Sequence, residues 1–466
     1  MTQPQRIVIL GGGFAGTNVA LRLEKLFRRD PNVEITLIDT ENFFTFTPLL
    51  PEVPSGSIQP KHIVFPLRAL LRRTNVKQAE LQSIDLARRE IIARHCGKCG
   101  RYTVPFDLLV IALGSVTNFF GLPGVAEHAL TIKSLADAAA LHAHVIDKLE
   151  HADMDPDPAR RRELLTFIIA GGGFAGVETL AELNDFVRGA NRYYPNIQPE
   201  DIRVVLVHSG NRILTEVNES LSQYALQKLR ANHVEVLLET RVQSCTERSV
   251  SLSNGETIPC HTFVWAAGVS PNPRLAELNL PLHKNGRIAV DETLQVVADP
   301  NVWALGDSAA VPDVITGKLC PPTAQYALRQ GTVLANNLAA VVRGREPRPF
   351  RHKSLGLLAG LGRRSAVAEI FGLQFSGFLA WALWRTIYLL KMPGFERKLR
   401  IALDWGLDLF FPRDIVYLRP LHAVRGQPAA PHDPATCFLH AGLTPVTDSR
   451  WRTVMSSELS TSSTHG

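Results

Sequence analysis

Two stretches of this chain are identical and suited to the same chemistry. Gly11-Gly12-Gly13-Phe14-Ala15-Gly16 recurs letter for letter as Gly171-Gly172-Gly173-Phe174-Ala175-Gly176. Each copy follows an apolar, β-rich run (7–10; 164–170) and precedes a helix-like one (17–26; 177–183). A strand, a G-x-G-x-x-G turn and a helix in that order make a pyrophosphate cradle. The first glycine (Gly11, Gly171) makes the tight turn. The second (Gly13, Gly173) lets the backbone reach the phosphates, and the third (Gly16, Gly176) lets helix pack on strand. The phosphates then lie on free N–H groups at the helix start. Two such units predict two bound dinucleotides.

The residues behind the loops differ. In the first unit, 33–38 reads as a strand ending in Asp39, an acid placed to hydrogen-bond a ribose hydroxyl. In the second, 203–207 reads as the matching strand, and the next residue is His208. Without an acid, selection against a 2′-phosphate is weaker, and Arg212 stands four residues on to accept one. NADH is the expected nucleotide and NADPH stays open. Glu178, two residues past the second loop, reads by itself as a first-turn acid favoured by the helix dipole. Pro321-Pro322-Thr323 reads as a helix start with Thr323 as N-cap. The helical pattern then runs over 324–336.

The elements that must position these groups are equally readable. Residues 106–114 form a buried strand holding Ala112 and ending in Gly114. Similar strands run over 262–268, ending in Gly268, and 301–307, ending in Gly306-Asp307. An insert over 151–162, with Asp-Pro-Asp-Pro and three arginines, reads as an exposed linker. In 466 residues, 45% are hydrophobic and 20% charged, which excludes a mainly disordered chain. Six cysteines exclude a disulfide scaffold. Cys96 and Cys99 form one C-x-x-C with no second pair, so no metal site is expected. Cys320 stands alone. Residues 17–60 contain no cysteine, which excludes the disulfide reductases with their C-x₄-C in the first helix. Residues 1–5 are polar and 6–10 read as a strand, so no signal peptide is expected, and the expected compartment is cytoplasmic.

The net charge of +6 is local. Residues 351–420 hold 11 Lys/Arg against 5 Asp/Glu, and the rest balances at 39 each. The same region holds the longest uncharged apolar stretch, the 15 residues 370–384, too short to span a bilayer. Phe375, Phe378, Trp381, Trp384 and Tyr388 recur at helical spacing. A second amphipathic stretch carries Leu399, Leu403, Leu407 and Phe410 on one face. Bulky aromatics beside basic residues describe an interfacial helix pair on a lipid surface. A core helix pair is the other reading.

Together these elements resemble the two-dinucleotide-binding-domain flavoproteins and, within them, the type II NADH:quinone oxidoreductases, over roughly residues 5–420. The specific stretches are Phe46-Thr47-Pro48-Leu49-Leu50-Pro51, similar to the family's loop under the flavin, and Ala324-Gln325-Tyr326-Ala327-Leu328-Arg329-Gln330, which matches its quinone-site pattern A-Q-x-A-x-x-Q. Ala380-Trp381-Ala382-Leu383-Trp384 and Pro393-Gly394-Phe395 resemble its C-terminal module. The resemblance implies an α/β fold of two Rossmann-like domains, glutathione-reductase-like, plus a C-terminal amphipathic helical membrane-anchoring module. It implies FAD as cofactor, held by the first loop, Asp39, Thr47, Pro48, Leu49, Ala112, Gly114, Gly306, Asp307 and Ala324. NADH as substrate is held by the second loop with Phe174, Glu178, His208 and Gly268. Gln325 and Gln330 are expected to position a quinone carbonyl, and Glu178 to relay protons.

The expected division is 1–125 and 285–350 for FAD, 126–162 as linker and 163–284 for the nicotinamide nucleotide. Residues 351–420 are expected as a peripheral anchor on the cytoplasmic face of the membrane, and 421–466 as a disordered tail. The expected partners are a membrane quinone and the lipid surface, without nucleic acid, and a homodimer follows from the family alone. A sulfide:quinone oxidoreductase, an NADPH-preferring relative and a flavin-containing nucleic-acid-binding regulator are the competing readings.

Overall fold

The computed structural model describes residues 4–95, 100–353 and 355–416. Two sheets carry the fold. The first has eight strands, in the order Gln295–Val296, Asp299–Ala304, Leu108–Ile111, Gln5–Leu10, Val33–Asp39, Asn75–Asp85, Glu90–His95 and Arg101–Pro105. The five from Asp299–Ala304 to Asn75–Asp85 run parallel. Leu108–Ile111 is buried at every residue, as a strand covered on both faces must be. The second sheet is parallel throughout, in the order Leu130–Thr131, Thr262–Trp265, Thr166–Ala170, Arg203–Val207 and Val234–Leu237. The chain leaves the first sheet, builds the second, and returns at Gln295–Val296. Its two crossings, Ser115–Thr117 and Val269–Pro271, pair antiparallel.

Both glycine loops therefore stand at the carboxyl ends of parallel strands, where open α/β sheets bind their ligands. The first loop opens the helix Phe14–Leu26 and the second opens Phe174–Ala190. Behind the first loop, Ala324–Val342 packs along Phe14–Leu26. The Asn18 amide donates to Leu328 O at 2.9 Å, and the absent side chain of Gly331 lets the two helices approach.

Two expectations are corrected. The stretch 126–162 is no plain linker. It contributes the edge strand Leu130–Thr131 and a 20-residue helix, Leu135–Met154, capped by a Ser134–Asp137 capping box. Leu141, Val145 and Leu149 bury one face of that helix, and the polar His142 and His144 between them hid the period in the sequence. The C-terminal module is also not purely helical. Three antiparallel strands, Gly356–Gly360, Ala366–Ile370 and Leu373–Ser376, precede the helices Gly377–Lys391 and Phe395–Phe410. Phe375 thus lies on a strand. Phe371 and Gly372 both adopt positive φ, 52° and 82°, which closes a two-residue hairpin and overrides the helical spacing.

No helix of the described residues is long and apolar enough to cross a membrane. The expectations for Cys96, Cys99 and 421–466 lie outside the described residues.

Candidate active site

The two cradles are alike in detail. A Cβ on Gly16 would sit 1.9 Å from Gly11 O, and one on Gly176 would sit 1.9 Å from Gly171 O. Only glycine permits that approach of helix to turn. A Cβ on Gly13 or Gly173 would meet nothing within 4 Å, which leaves the open space a pyrophosphate needs. Neither helix start carries a side-chain cap or an acid in its first turn. The helices at Leu135, Glu219 and Ala324, by contrast, are capped by Ser134, Asn218 and Thr323. The first-turn N–H groups and positive dipole end are thus available to an anion in both units. Phe14 lies edge-on to Phe44, centroids 4.9 Å apart, and close to Phe46.

Behind the first loop, Asp39 accepts the Gly12 N–H and, at 2.7 Å, that of Glu41. Burial raises its carboxyl pKa against those donors. Behind the second, the acceptor for Gly172 N–H is His208 Nδ1 at 3.1 Å.

The other residues expected at the first cradle converge on Gly306-Asp307. Ser115 Oγ donates to Asp307 at 2.5 Å, Lys133 Nζ donates to Ser115 at 2.9 Å, and Gly114 N–H donates to Ser308 Oγ at 2.8 Å. Ala112 O closes over Gly11, and Gly306, at φ +66°, packs on Ala15. Thr47 and Pro48 open a 3₁₀ turn, Thr47–Glu52, at the rim of this cradle. Leu49 is wholly buried, so its side chain serves the core.

Thr323 caps the helix as expected, its hydroxyl accepting from Tyr326 N–H. Ala324 and Gln325 lie half-buried at the helix start. Gln330 is placed differently from expectation. It is 2% exposed, and its carbonyl accepts Gly306 N–H at 2.8 Å. That carbonyl holds the Gly306-Asp307 turn.

Glu178 joins three parts of the chain. It is buried, and it accepts Gly360 N–H at 2.8 Å and the Trp384 indole N–H at 3.2 Å, both from the C-terminal module. With Pro51 and Glu52 of the flavin-loop turn, Glu182, Trp381 and Trp384, it lines a cavity of about 10 Å³, the threshold for one water. Burial pushes its carboxyl up to about 8. Glu52 accepts the Trp405 indole N–H at 2.7 Å, and burial with nearby Glu182 raises it too. Glu182 is held by Arg413 at 3.0 Å and by Ser55 at 2.9 Å. Arg385 lies over Trp381 and Trp405, 4.1 and 4.7 Å from their centroids. A chain of rings, Phe14, Phe46, Tyr388, Trp384 and Trp405, runs from the first loop to the last helix.

Sequence reasoning missed Ser115, Ser308, Lys133, Glu52, Glu182 and Trp405. Ser308 and Glu52 each directly follow a motif already singled out, which was the available signal. Gly268 lies where its crossing strand meets Asn118 and Phe120. A cavity of about 830 Å³ opens at the opposite end of the second sheet. Two ion pairs lie across its lining, Arg203–Glu235 at 2.9 Å and Arg162–Asp201 at 3.5 Å.

A family model described as pyridine nucleotide-disulphide oxidoreductase matches residues 5–331, and one described as NDH2 C-terminal domain matches 354–414. The chain is 33% identical over 426 residues to the type II NADH:quinone oxidoreductase Ndh of Mycobacterium tuberculosis, covering 88% of this chain and 89% of the relative. It is 34% identical over 406 residues to the demethylphylloquinone reductase NdbB of a Synechocystis species, covering 86% and 95%. The fold resembles the structure of NDH2 from Plasmodium falciparum in complex with NADH, at TM-score 0.83 and 22% identity, covering 89% of this chain and all of that one.

Proposed function

The chain belongs to the pyridine nucleotide-disulphide oxidoreductase family and, within it, to the type II NADH:quinone oxidoreductases; we propose how its own residues divide that work. FAD, when bound, takes the hydride of NADH and passes two electrons to a quinone. The first glycine loop, Asp39 and the Ser115–Asp307 pair fit that cofactor, since they offer an open phosphate cradle, a ribose acceptor and a held carboxylate at the carboxyl end of one sheet.

The observation that carries the assignment of roles is Glu178. It stands in the second glycine-loop helix, faces the flavin-loop turn, and is hydrogen-bonded by the C-terminal module. With its pKa near 8 it holds a proton at neutral pH, where reduction of a quinone to a quinol consumes two. The half-buried helix start at Ala324-Gln325 offers a dipole and an amide to the acceptor's carbonyl. Gln330 acts one step back, as a positioning residue. Among the described residues the cysteines Cys245, Cys260 and Cys320 are buried. Burial raises their thiols, Cys320 to about 11, which does not favour the thiolate that sulfide chemistry needs. The family and its relatives favour the NADH:quinone reading over the sulfide and nucleic-acid ones.

The same proposal places the chain peripherally on a membrane, on the anionic cytoplasmic face, where the quinone is reached from lipid. Leu399, Leu403 and Leu407 are each more than half exposed and Phe395 and Phe410 over 80%, all on one helix. The opposite face of that helix buries Ile401, Trp405 and Asp408. Exposed Lys391 and Arg400 flank the apolar face and suit anionic headgroups.

Two measurements test this reading. Stopped-flow spectra are expected to show the flavin bleached by NADH and recovered by a quinone. No bleaching by NADH would sink the division of labour. In sedimentation with anionic vesicles, the triple variant L399E/L403E/L407E is expected to stay in the supernatant while still reducing a water-soluble quinone. Undiminished pelleting would remove the membrane assignment.

A further inference from the structure

A buried acid that supplies a proton at every turnover has to be recharged. The balance NADH + H⁺ + quinone → NAD⁺ + quinol takes one proton from water, and Glu178 is buried away from it. Glu178, Glu182 and Asp185 stand at i, i+4 and i+7 on the helix Phe174–Ala190, so they share one face, which leads away from the glycine loop. Seven residues of helix rise about 10 Å.

Two cavities lie along this face. The inner one, about 10 Å³, is lined by Glu178, Glu182, Glu52 and Gly362 among others. Both donors to Glu178, the Gly360 N–H and the Trp384 indole, fall on Oε1. Among the described residues no donor falls on Oε2. A water in the cavity is the partner that such a buried oxygen requires. Glu182 is held from one side in the same way. Ser55 at 2.9 Å, Ser57 at 3.2 Å and Arg413 at 3.0 Å all fall on its Oε2.

The outer cavity, about 40 Å³, is lined by Asp185, Asp408 and Arg413 and bounded by the exposed Arg363, Phe411 and Pro412. Two residues join the cavities. Arg413 lines the outer one and holds Glu182 in the wall of the inner one. Gly362 lines the inner one, and a Cβ there would sit 2.3 Å from Asp185 Oδ2. Only the width of a glycine therefore separates Asp185 from the inner cavity.

We propose that Asp185 collects protons from water at the outer cavity and that they pass by Glu182 and the inner cavity to Glu178, and from there to a quinone oxygen. The inference rests on Glu178 as the proton donor of the quinone half-reaction. Each step breaks one O–H bond and forms another, and the electrons come from NADH alone. Asp185 and Glu182 touch no substrate and act through Glu178. The charged groups facing Asp185 are Glu182 and Arg188 of its own helix, Arg363 of the turn 361–365, Asp408 of the helix Phe395–Phe410, and Arg413 beyond it. Burial and Glu182 raise its carboxyl to about 6, against the Arg363 N–H and Arg413. Glu178 faces Glu52 and Glu182 and stands at about 8. Proton affinity thus increases inward, so Asp185 trades protons with water and Glu178 keeps what arrives.

The test uses the FAD-loaded full chain, bleached with NADH and then mixed with a water-soluble quinone. Flavin recovery is followed in stopped flow from about pH 6 to about pH 9, across the range of both acids. A pH-indicator dye in weak buffer follows proton uptake in the same mixing. Asp185→Asn keeps an oxygen for the Arg363 N–H and carries no proton, whereas Asp185→Glu restores the acid. Bleaching by NADH, which takes no proton from water, is the control in every form. In Asp185→Asn, recovery and proton uptake are expected to slow together, by about tenfold near pH 8.5 and by less near pH 6, where protons are plentiful. Formate, an acid small enough for the outer cavity, is expected to restore most of the rate. Glu182→Gln is expected to show the same pH-dependent loss, and Asp185→Glu to follow the wild type.

Recovery of Asp185→Asn at the wild-type rate at every pH would overturn the route. A loss equal at every pH and untouched by formate would make Asp185 structural only and overturn it too. Recovery of Glu178→Gln at the wild-type rate would instead remove the donor at which the route ends. Failure of NADH to bleach the wild type would sink the dehydrogenase reading itself.

Discussion

The two glycine loops share six residues and a backbone geometry, yet they face different neighbours. The first is locked from behind. Gly306 packs on Ala15, Gly331 admits the Ala324–Val342 helix, and Asn18 bonds Leu328 O. The second is locked through its helix to the C-terminal module, by Gly360 and Trp384 on Glu178. One hexapeptide therefore serves two purposes. In the first unit the surroundings build a closed seat for a resident cofactor. In the second they leave the turn capped by one imidazole and put a buried acid beside the Thr47–Glu52 turn. The repeat names the kind of ligand, and the packing decides whether it stays or turns over.

The largest effect should come from filling the third glycine of each loop. In Gly16→Val the side chain would meet Gly11 O and deny FAD its cradle, so the purified variant is expected to be colourless. Gly176→Val is expected to keep its flavin while bleaching by NADH slows at least about 100-fold, a loss of about 3 kcal/mol in transition-state binding. Absorbance of the purified protein and stopped-flow reduction separate the two. A colourless Gly176→Val of native circular dichroism would show that the units are not independent, and the comparison would break.

Next is Glu178. Replacing it by glutamine keeps the Gly360 and Trp384 contacts through the amide oxygen and removes the proton. The wild-type quinone half-reaction is expected to fall as pH rises through about 8, where the carboxyl ionises. Glu178→Gln is expected to run about 10²-fold slower with no inflection there. The half-reaction with NADH should change far less. An unaltered pH profile in the variant would leave Glu178 a structural acid only.

Gln330 sharpens the first side of the comparison. Truncating it to alanine leaves the half-buried Gly306 N–H without its acceptor, a cost of about 1 kcal/mol. The expected result is weaker FAD retention and a Tm lower by about 2–4 °C, with quinone KM little changed. A raised quinone KM at full flavin occupancy would return Gln330 to the quinone.

Much of this was legible because repetition is legible. The two loops, the strand ends at Asp39 and His208, Thr323 as cap and the apolar face at Leu399, Leu403 and Leu407 all follow from local spacing. What was not legible depends on who meets whom across long separations. Trp384 and Tyr388 read as lipid-facing members of an aromatic stripe. The fold turns them inward, because Glu178 and Phe46, over 200 and over 300 residues earlier, offer a partner and a ring. Gln330 read as a quinone ligand from a pattern. Only the fold shows that Gly306 takes its carbonyl. Phe375 fell to turn chemistry at Phe371-Gly372, and the linker reading of 126–162 fell to a helix whose polar interruptions masked its buried face.

A pH-dependent effect of similar size tests the acid junction from its other wall. Glu52 is fully enclosed between Glu182, Arg385, Arg413 and the Trp405 indole, and burial raises its carboxyl well above the ordinary 4.5. A folded state that holds this proton more tightly than the unfolded chain binds more protons. Stability from this group is therefore complete below about pH 4.5 and is lost as pH rises through the folded value. Glu52→Gln keeps the oxygen that accepts from Trp405 and removes the titration. Its Tm is expected to match the wild type near pH 5 and to exceed it by about 2–4 °C near pH 8.5. Parallel Tm curves across that range would mean that Arg385 and Arg413 already hold Glu52 ionised. The proton at the junction would then belong to Glu178 alone, and the contrast between a sealed cofactor seat and a protonated turnover site would rest on one side chain.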